Sequence, residues 1–394
     1  MKVLFVNTVA NKGSTGRIIY DIGKQLEKNG GEFIIAYGRG EKIQDKHFYR
    51  ISNNLGVYSH ALFSRITDKS GFYSKLSTYK FIKFIKKINP DIIHLNNLHG
   101  YYINVEILFN FLKNEYKGKI VWTLHDCWSF TGHCVHYSYA QCDKWKTGCK
   151  NCPEKHRYPS SYFLDNSKNN YFRKKKAFTN ISDLTIVTPS EWLKNQVENS
   201  FLKSYPVYVI NNGIDLNKFK RIEGQSKNKQ NVLLNVVDGI DDRKGFNDLL
   251  LLSKKLPDNY IIKIVGVKFS EIRRDNKIEF IERTESIEEL VMYYNQAKYL
   301  VNPTYEDTFP TVNLEALACG LPVITYQSGG SPEAIQDGCG VVIKPGDIEN
   351  LLNSVIKDYG DSDKCINCAK KYSKDLKYNE YIKLYRQLLN GEKN

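Results

Sequence analysis

Residues 299–333 read YLVNPTYEDTFPTVNLEALACGLPVITYQSGGSPE and contain a complete parallel crossover unit. Two short apolar runs, at 299–303 and 322–326, flank a segment of helical length. Apolar runs without polar alternation are typical of strands that are buried on both faces of a sheet. The stretch therefore predicts a strand, a helix and a second parallel strand, with a polar or glycine-rich loop after each strand.

The same alternation extends over nearly the whole chain of 394 residues. Short runs rich in Val and Ile alternate with amphipathic segments long enough for helices. The predicted strands lie at 3–7, 32–37, 91–95, 120–126, 184–190, 207–212, 231–237, 260–267, 277–282, 299–303, 322–326 and 340–344. Strands that alternate with helices form doubly wound parallel sheets, and this length suits two domains. We therefore predict an α/β fold with two doubly wound, Rossmann-like domains.

A polar, turn-rich segment, IEGQSKNKQ (222–230), indicates that the chain passes from one domain to the other at about 200–228. The predicted domains are 1–205 and 206–375, followed by a helical segment at 376–394. One region departs from the alternation: residues 127–160 are rich in Cys, Tyr, His and Pro and have little apolar periodicity. We interpret them as an insertion in the first domain.

The net charge of +14 is concentrated in the first half of the chain. Residues 1–200 contain 30 Lys and Arg against 16 Asp and Glu, and the remainder contains 27 of each. Such a half suits nucleic acid, anionic lipid headgroups or a phosphorylated substrate. The segment YKFIKFIKKI (79–88) fits an amphipathic helix that lies on an anionic membrane, but it equally fits the more common case of a helix packed on its own sheet.

The sequence contains no apolar run close to the roughly 18 residues that a membrane-spanning helix needs. Its first residues, MKVLFVNTVANKG, fit a first strand better than a secretion signal. We therefore expect a cytoplasmic protein, whose basic half would make any peripheral contact with the inner face of the membrane.

Two carboxylates and two glycines follow the strands of the 299–333 unit. Asp307 lies in the loop after the first strand, and Glu315 lies eight positions later in the helix. Ligands of open parallel sheets bind beyond the carboxyl ends of the strands, where a carboxylate can accept hydrogen bonds from a ribose diol. Gly329 and Gly330 follow the second strand and would leave backbone N–H groups free for an oxygen-rich ligand.

Cations and glycines mark two further strand ends. In DDRKGFNDL, Arg243 and Lys244 stand at the start of a predicted helix. Cations at a helix N-terminus oppose the helix dipole, so this placement makes most sense if a bound diphosphate neutralises their charge. In NKGSTGRIIYDIG, Gly13 and Gly16 predict a tight loop before a helix whose free N–H groups could hold an anion, and Arg17 adds a charged contact.

The insertion contains five of the nine cysteines. Without a secretion signal the thiols should stay reduced, and thiolates in a loop poor in core residues predict a structural zinc. The predicted ligands are Cys134, Cys142, Cys149 and Cys152. An iron–sulfur cluster would use the same set, and unpaired buried thiols or an oxidation-formed disulfide are the other interpretations.

These motifs resemble those of the retaining glycosyltransferases of family 4, in which two Rossmann-like domains face a central cleft (the GT-B architecture). The resemblance is strongest at 305–333, continues in VINNGIDLNKF (209–219), and includes a cysteine-rich stretch similar to that of the colanic-acid and capsule branch. It implies sugar transfer, with retention of configuration, from a UDP- or GDP-sugar to a glycan or polyprenyl-linked acceptor of a surface polysaccharide. It also implies no catalytic metal and a last helix that crosses back to the first domain.

The resemblance implies a role for each matching residue. Glu315 would hold the donor ribose, and Asp307, one methylene shorter than the family's Glu, would contact the transferred sugar, with Glu306 as the neighbouring candidate. Lys244 matches the lysine that grips the diphosphate. Gly239 stands where the family has an arginine, so Arg243 is the expected substitute. The other donor-side residues are Gly13, Gly16, Thr308, Phe309, Pro310, Gly329 and Gly330.

On the first domain, His125 in WTLHD matches the family's active-site histidine. Its expected role is a hydrogen bond near the donor sugar, and the alternative is a histidine buried at a strand end. The acceptor-side candidates are Arg17, His99 and Asp126.

Two other functions fit parts of the pattern. A nucleotide-sugar 2-epimerase binds its substrate on the same architecture, although the Asp307–Glu315 run with its glycines favours transfer. A nucleic-acid-binding protein would suit the basic half, but the sequence has no aromatic-basic platform or groove-reading motif, so no nucleic acid is expected as a partner.

Overall fold

The structure, a computed structural model, describes residues 1–224, 231–268, 270, 275–357 and 359–391. Two compact units make up the chain: Met1–Asn211 with Tyr378–Asn394, and Asn212–Lys377. The division between them thus falls at 211/212, a few residues after the predicted 205/206. The part of the predicted linker at 225–230 lies outside the described residues.

The first unit is built on a parallel sheet with the order β3-β2-β1-β4-β5-β6-β7. Its strands are β1 (Lys2–Val9), β2 (Glu32–Arg39), β3 (Phe48–Arg50), β4 (Ile92–Leu95), β5 (Lys119–Thr123), β6 (Leu184–Thr188) and β7 (Val207–Val209). Its helices are α1 (Gly13–Lys28), α2 (Asn54–Thr67), α3 (Lys75–Ile88), α4 (Val105–Asn114), α5 (Ser167–Phe178) and α6 (Glu191–Glu198). The strand order reverses between β1 and β4, as it does in a doubly wound sheet.

The second unit repeats this plan with the strand order β10-β9-β8-β11-β12-β13, again all parallel. Its strands are β8 (Val232–Val236), β9 (Ile261–Val267), β10 (Ile278–Glu282), β11 (Tyr299–Asn302), β12 (Val323–Tyr326) and β13 (Gly340–Ile343). Its helices are α7 (Phe246–Lys255), α8 (Ile287–Gln296), α9 (Thr311–Ala318), α10 (Ile348–Ile356) and α11 (Ser362–Lys370). The predicted α/β class with two doubly wound sheets is confirmed.

Each sheet is covered on both faces, which explains its continuous apolar strands. In the first unit, one cluster contains Phe109, Trp122 and Phe178, and the cluster on the other face contains Phe5 and Ile19. Burying a side chain of this size contributes roughly 1.5–3 kcal/mol. The second unit likewise has two clusters, so the core of each unit lies above and below its own sheet.

The last helix, α12 (Lys374–Asn390), belongs to the first unit from Tyr378 onward. Its buried tyrosines pack in the cluster that contains Phe5. The Tyr385 hydroxyl lies 2.6 Å from His94 Nδ1, and the Tyr381 hydroxyl lies 3.2 Å from Thr123 Oγ1. These contacts fix the end of the chain against β4 and β5.

Helix α3 contains the basic amphipathic segment. Phe81, Ile82 and Ile85 are buried in the core of the first unit, while the lysines between them are exposed. The interpretation as a helix packed on its own sheet is therefore confirmed. Across the described ranges, none of the helices has the length and apolar character that crossing a membrane needs.

Candidate functional site

In the second unit, a lysine and a carboxylate meet at the carboxyl ends of β8 and β11. Lys244 Nζ lies 2.9 Å from Asp307 Oδ2 and donates to the Glu306 carbonyl oxygen at 3.0 Å. The side chain of Lys244 is 40% exposed and that of Asp307 is 24% exposed. Solvent, and hence a ligand, can therefore reach both charged groups.

A short 3-10 turn, Asp242–Lys244, positions Lys244 and ends in Gly245 at φ +78°. A Cβ at this glycine would lie 2.1 Å from the Pro303 carbonyl oxygen. The turn after β8 thus packs directly on the loop after β11, and only glycine permits this approach. The sequence placed Lys244 in the first turn of a helix, whereas the structure places it in the turn before α7.

Arg243 forms ion pairs with carboxylates of the two loops that meet here. Its guanidinium donates to both carboxylate oxygens of Asp241, with Nη2 at 2.6 Å, and Nη1 lies 3.7 Å from Glu306 Oε2. Glu306 is almost fully buried. Arg243 is therefore already paired with carboxylates, and its role as a second phosphate ligand stays a prediction.

Gly329 and Gly330 bring the loop after β12 onto Asp307. Gly329 has φ +53°, and a Cβ there would lie 1.9 Å from the Asp307 carbonyl oxygen. The N–H of Gly330 donates to that same carbonyl at 3.0 Å. The expectation that Gly330 offers its N–H to a ligand is therefore wrong, because this amide serves to fix the Asp307 backbone.

Glu315 is held in one orientation by a residue that the sequence did not indicate. Its Oε2 accepts a hydrogen bond of 2.7 Å from the hydroxyl of Tyr294, which lies on α8. Burial, together with the Glu315 charge, raises the pKa of Tyr294, so the hydroxyl stays protonated and donates. Glu315 as a whole is only partly buried.

The three residues between Asp307 and α9 have buried side chains, and their backbone groups make the contacts described here. Thr308, Phe309 and Pro310 are buried, and Phe309 packs in a core cluster of the second unit. The Phe309 N–H donates to Asp307 Oδ1 at 3.2 Å, and its carbonyl accepts from the Asn212 side chain at 3.1 Å. Their donor-side role stays a prediction, and in this structure the Phe309 N–H helps to position Asp307.

In the first unit, His125 and Asp126 follow the end of β5. The predicted strand 120–126 ends at Thr123, so both side chains belong to a loop. His125 Nε2 lies 3.0 Å from the side-chain oxygen of Asn96, which follows β4. Burial lowers the pKa of His125 to about 4, so its imidazole is neutral at physiological pH.

Asp126 organises a hydrogen-bonded chain beside His125. Its Oδ2 lies 2.6 Å from His99 Nε2, and its Oδ1 accepts from the Trp128 N–H at 2.9 Å. Burial opposes ionisation of Asp126, but the His99 contact outweighs it and lowers the pKa of the carboxyl. His99 Nδ1 also lies 3.1 Å from the Tyr158 hydroxyl. The predicted acceptor-side pair is thus brought together, and Tyr158 joins it.

The glycine loop after β1 leads into α1 as predicted. Gly13 begins the helix at φ +64°, and a Cβ at Gly16 would lie 3.2 Å from the Asn11 backbone nitrogen. The first turn of α1 has no side-chain cap and no acidic residue, and Arg17 is exposed beside it. Free N–H groups at a helix N-terminus suit an anion.

The cysteines of the insertion do not form a metal-ligand set. Cys134 and Cys152 are hydrogen-bonded to each other, and Cys149 Sγ accepts from the Gly132 N–H at 3.2 Å. In the part of the chain that the structure describes, no group of three or more His, Cys, Asp or Glu is placed to hold a metal ion. The four residues therefore do not fit zinc as they stand, and the structural zinc stays a prediction.

Other residues anchor the insertion. The buried His133 ring pairs through Nδ1 with the carboxylate of Asp68, the residue that follows α2. Lys174 Nζ, also buried, donates to the carbonyls of Trp128 and Thr131 at 2.8 and 3.1 Å and lies 3.5 Å from the centre of the Trp128 ring. The insertion is thus held by buried polar contacts to α2 and α5.

Several classes of enzyme are built from two doubly wound units with polar groups at their strand ends, and comparison with known families specifies the class of this chain. Residues 15–218 match the family model "Glycosyltransferase Family 4", and residues 217–374 match "Glycosyl transferases group 1". The first match covers more than half of the chain, so the protein belongs to glycosyltransferase family 4. It is therefore an enzyme of the glycosyltransferase class.

Curated relatives and solved structures agree with this family. The chain is 26% identical over 378 residues to a putative colanic acid biosynthesis glycosyl transferase, WcaC, of Escherichia coli K12, with 89% of each chain covered. It is 25% identical over 196 residues to the capsular polysaccharide biosynthesis glycosyltransferase CapM of Staphylococcus aureus, covering 44% of this chain and 51% of CapM. Sucrose-phosphate synthase of Thermosynechococcus elongatus has a similar fold, with a TM-score of 0.73, 16% identity, and 99% and 100% coverage.

A further solved structure of similar fold contains ligands. Anabaena HepE, in complex with UDP and glucose, has a TM-score of 0.64 and 14% identity, with 98% of this chain and 99% of that chain covered. At this level of identity the similarity establishes the shared fold and leaves the ligands of the present chain to be inferred from its own residues.

Proposed function

We propose that the protein transfers a sugar from a nucleoside diphosphate sugar to an acceptor, with retention of the anomeric configuration. The observation that supports this most directly is the solvent-accessible contact between Lys244 and Asp307, with Glu315 on the next helix. A cation for the diphosphate and two carboxylates for hydroxyl groups are what such a donor requires. HepE, on the same fold, is solved in complex with UDP and with UDP-glucose, which supports a nucleoside diphosphate sugar as the class of donor.

The acceptor that we propose is a glycan or a polyprenyl-linked oligosaccharide of a surface polysaccharide. Two relatives are named for colanic acid and capsular polysaccharide biosynthesis, and the first of them matches 89% of this chain. The reaction would take place in the cytoplasm at the inner face of the membrane, where the basic first half of the chain suits anionic lipids.

On the donor side, binding of the nucleotide sugar would replace Asp307 by the diphosphate as the partner of Lys244. In the described structure its ammonium is paired with Asp307. A diphosphate, with its larger negative charge, would take over Lys244 and release the Asp307 carboxylate to accept hydrogen bonds from the sugar. Lys244 would then stabilise the charge that develops on the diphosphate when the bond to the sugar breaks.

In the first unit, the neutral state of the His125 ring suits the proposed hydrogen bond to the sugar. The sugar gains positive character as its bond to the diphosphate breaks, and a protonated histidine nearby would oppose it. Because burial keeps the pKa of His125 near 4, the ring can hydrogen-bond a sugar hydroxyl without this repulsion. In a retaining reaction of this kind the acceptor proton passes to the leaving phosphate.

Nucleotide-dependent thermal stability tests the proposal. The wild type is melted with UDP, GDP, ADP and UMP, together with Glu315→Ala and Lys244→Ala. A ligand at 100 times its dissociation constant adds about 2.7 kcal/mol to the stability, so one diphosphate should raise Tm in the wild type and in neither variant. Lys255→Ala is the matched control, because Lys255 forms an exposed pair with Glu349 in the same unit.

The proposal would be contradicted if none of the four nucleotides raised the Tm of the wild type. It would also be contradicted if Glu315→Ala and Lys244→Ala showed the same rise in Tm as the wild type. Retention is tested separately by NMR: the anomeric configuration of the new linkage should equal that of the donor.

A further inference from the structure

Helix α2 carries its large apolar side chains on the face that contacts solvent. Its buried residues are Val57, His60 and Ser64. Its exposed residues include Leu55, Tyr58, Leu62, Phe63 and Ile66, and Leu55 is 77% exposed. A helix that only covers a sheet has the opposite arrangement, with the apolar stripe inside. The fold of the first unit therefore does not account for the outer face of α2.

The segment that directly follows the insertion, residues 161–164, extends this apolar face. The N–H of Tyr162 donates to the Arg65 carbonyl at 2.8 Å, and that of Leu164 donates to the Ile66 carbonyl at 3.4 Å. The side chains of Tyr162, Phe163 and Leu164 are exposed, Phe163 by 70%. The start of α3 adds Leu76, 79% exposed, and is joined to α2 by a 2.7 Å contact between Ser74 Oγ and His60 Nδ1.

We define the α2 surface by the exposed residues Leu55, Tyr58, Leu62, Phe63, Ile66, Leu76, Tyr162, Phe163 and Leu164. Groups of large exposed apolar side chains of this kind are uncommon on proteins without a partner. The two tyrosines among them suit the boundary between water and lipid, where a ring can have one apolar and one hydrated end.

The charge around the α2 surface is almost entirely positive. Residues 46–90 contain nine Lys and Arg and a single carboxylate, Asp68, which is buried against His133. Arg65, Lys75 and Lys80 are exposed beside the apolar residues. Asp165, next to Leu164, is directed to the backbone N–H groups of Cys152 and Ser167. An apolar face with exposed cations beside it is complementary to an anionic lipid interface.

We propose that the α2 surface docks the protein on an anionic phospholipid bilayer, with its apolar side chains among the headgroups and the cations on lipid phosphates. This location differs from the basic face of α3, which the sequence suggested. The inference deepens the proposed function, on which it rests for its purpose, because a polyprenyl-linked acceptor is itself bound to the membrane.

The α2 surface also lies close to the acceptor-side residues of the first unit. His60, on the inner face of α2, packs edge-on against Tyr101 at 5.8 Å between ring centres, and Tyr101 packs against Tyr158 at 6.1 Å. The Tyr158 hydroxyl contacts His99 at 3.1 Å. Three contacts therefore connect the inner face of the docking helix to the Asp126–His99 pair.

Vesicle flotation of the full chain tests the docking surface. Wild-type protein should float with vesicles of phosphatidylglycerol and phosphatidylcholine, float poorly with phosphatidylcholine alone, and be released by high salt. The double variant Leu62→Ser/Phe163→Ser should bind the anionic vesicles at least tenfold more weakly. The matched control is Leu251→Ser/Met292→Ser, which removes two apolar residues of the second unit that are 47% and 46% exposed.

The proposal is overturned if the wild type fails to float with anionic vesicles or if the double variant floats like the control. It is also overturned if the wild type is a dimer in solution that the double variant dissociates, because the α2 surface would then join two copies of the chain. Tm establishes that each variant is folded. Flotation needs neither donor nor acceptor, and nucleotide-induced stabilisation should persist in the double variant, so failure of docking and failure of the proposed transfer are separate results.

Discussion

Asp307 and Glu306 are adjacent in sequence, yet the structure gives them different environments. Asp307 reaches Lys244 and remains accessible to solvent, whereas the Glu306 side chain is 2% exposed and faces Arg243. Glu306 also accepts from the Thr304 hydroxyl and from Lys244 through its backbone carbonyl. The structure therefore supports the loop role for Glu306, and contact of Asp307 with the transferred sugar stays a prediction.

Paired amide substitutions test this assignment. Asp307→Asn should lower kcat/KM on the order of 10²–10³-fold, because a carboxylate aimed at the reacting sugar is lost. Its Tm should hardly change, because exposed ion pairs contribute about 0–1 kcal/mol. Glu306→Gln should instead lower Tm, since it leaves Arg243 facing a neutral group in a buried place. If Glu306→Gln abolishes activity while Tm is unchanged, the two roles are reversed.

At the scale of elements, a buried ion pair ties the insertion to the end of α2. His133 and Asp68 are 65 residues apart, and their side chains are 0% and 2% exposed. Asp68 Oδ2 also accepts from the Asn166 N–H at 2.8 Å, at the start of α5. Burial alone would lower the pKa of His133, but the Asp68 carboxylate more than compensates and raises it.

Asp68→Asn should therefore destabilise the first unit by about 3–5 kcal/mol, the usual cost of removing one partner of a buried pair. The backbone at this residue has φ +54°, which Asn tolerates, so the substitution tests the charge rather than the turn. Thermal melts with limited proteolysis should show a lower Tm and faster cleavage within 127–166. Asp183→Asn is the control, because Asp183 pairs with Lys119 at a partly exposed site of the same unit. Equal Tm values for the two variants would contradict the anchoring role.

The elements that the sequence predicted are those with a local signal. Each predicted strand is present because it is a short apolar run, although the edge strands β7, β10 and β13 are only partly buried. Lys244, Asp307 and Glu315 were found because they follow such runs. Strand β3 was missed: it has three partly buried residues, FYR, at the edge of the sheet. Asn96, Tyr158 and Tyr294 were also missed, because each reaches its partner through the folded chain rather than through sequence spacing.

For the whole molecule, the two units differ in how their stability should respond to acid. All eight histidines lie within residues 1–160, and the segment Asn212–Lys377 contains none. Burial lowers the pKa of His60 and His94 to about 3 and that of His125 to about 4. His60 Nε2 accepts a hydrogen bond from the Gly71 N–H, which requires the neutral ring. Only the first unit therefore contains histidines that must lose their protons to fold.

A lowered pKa in the folded state means that the unfolded chain takes up the proton first. The stability from these three histidines is complete above their ordinary pKa of about 6.5 and is lost as the pH falls from there toward about 3–4. Each contributes a slope of up to about 1.4 kcal/mol per pH unit in that window. His133, whose pKa is raised, is protonated in both the folded and the unfolded chain below about 6.5, so it adds no slope in this window.

Lowering the pH from 7.5 to 5.5 should therefore reduce the Tm of the first unit on the order of 5–10 °C while affecting the second unit much less. The sequence supplies the means to observe this, because all four tryptophans also lie in the first unit. Tryptophan emission follows the unfolding of that unit alone, and calorimetry follows both units. If the fluorescence midpoint stays constant over this range, or if both calorimetric transitions move together, the buried histidines do not control the acid response. Nucleotide is left out of both experiments, so the result does not depend on the donor.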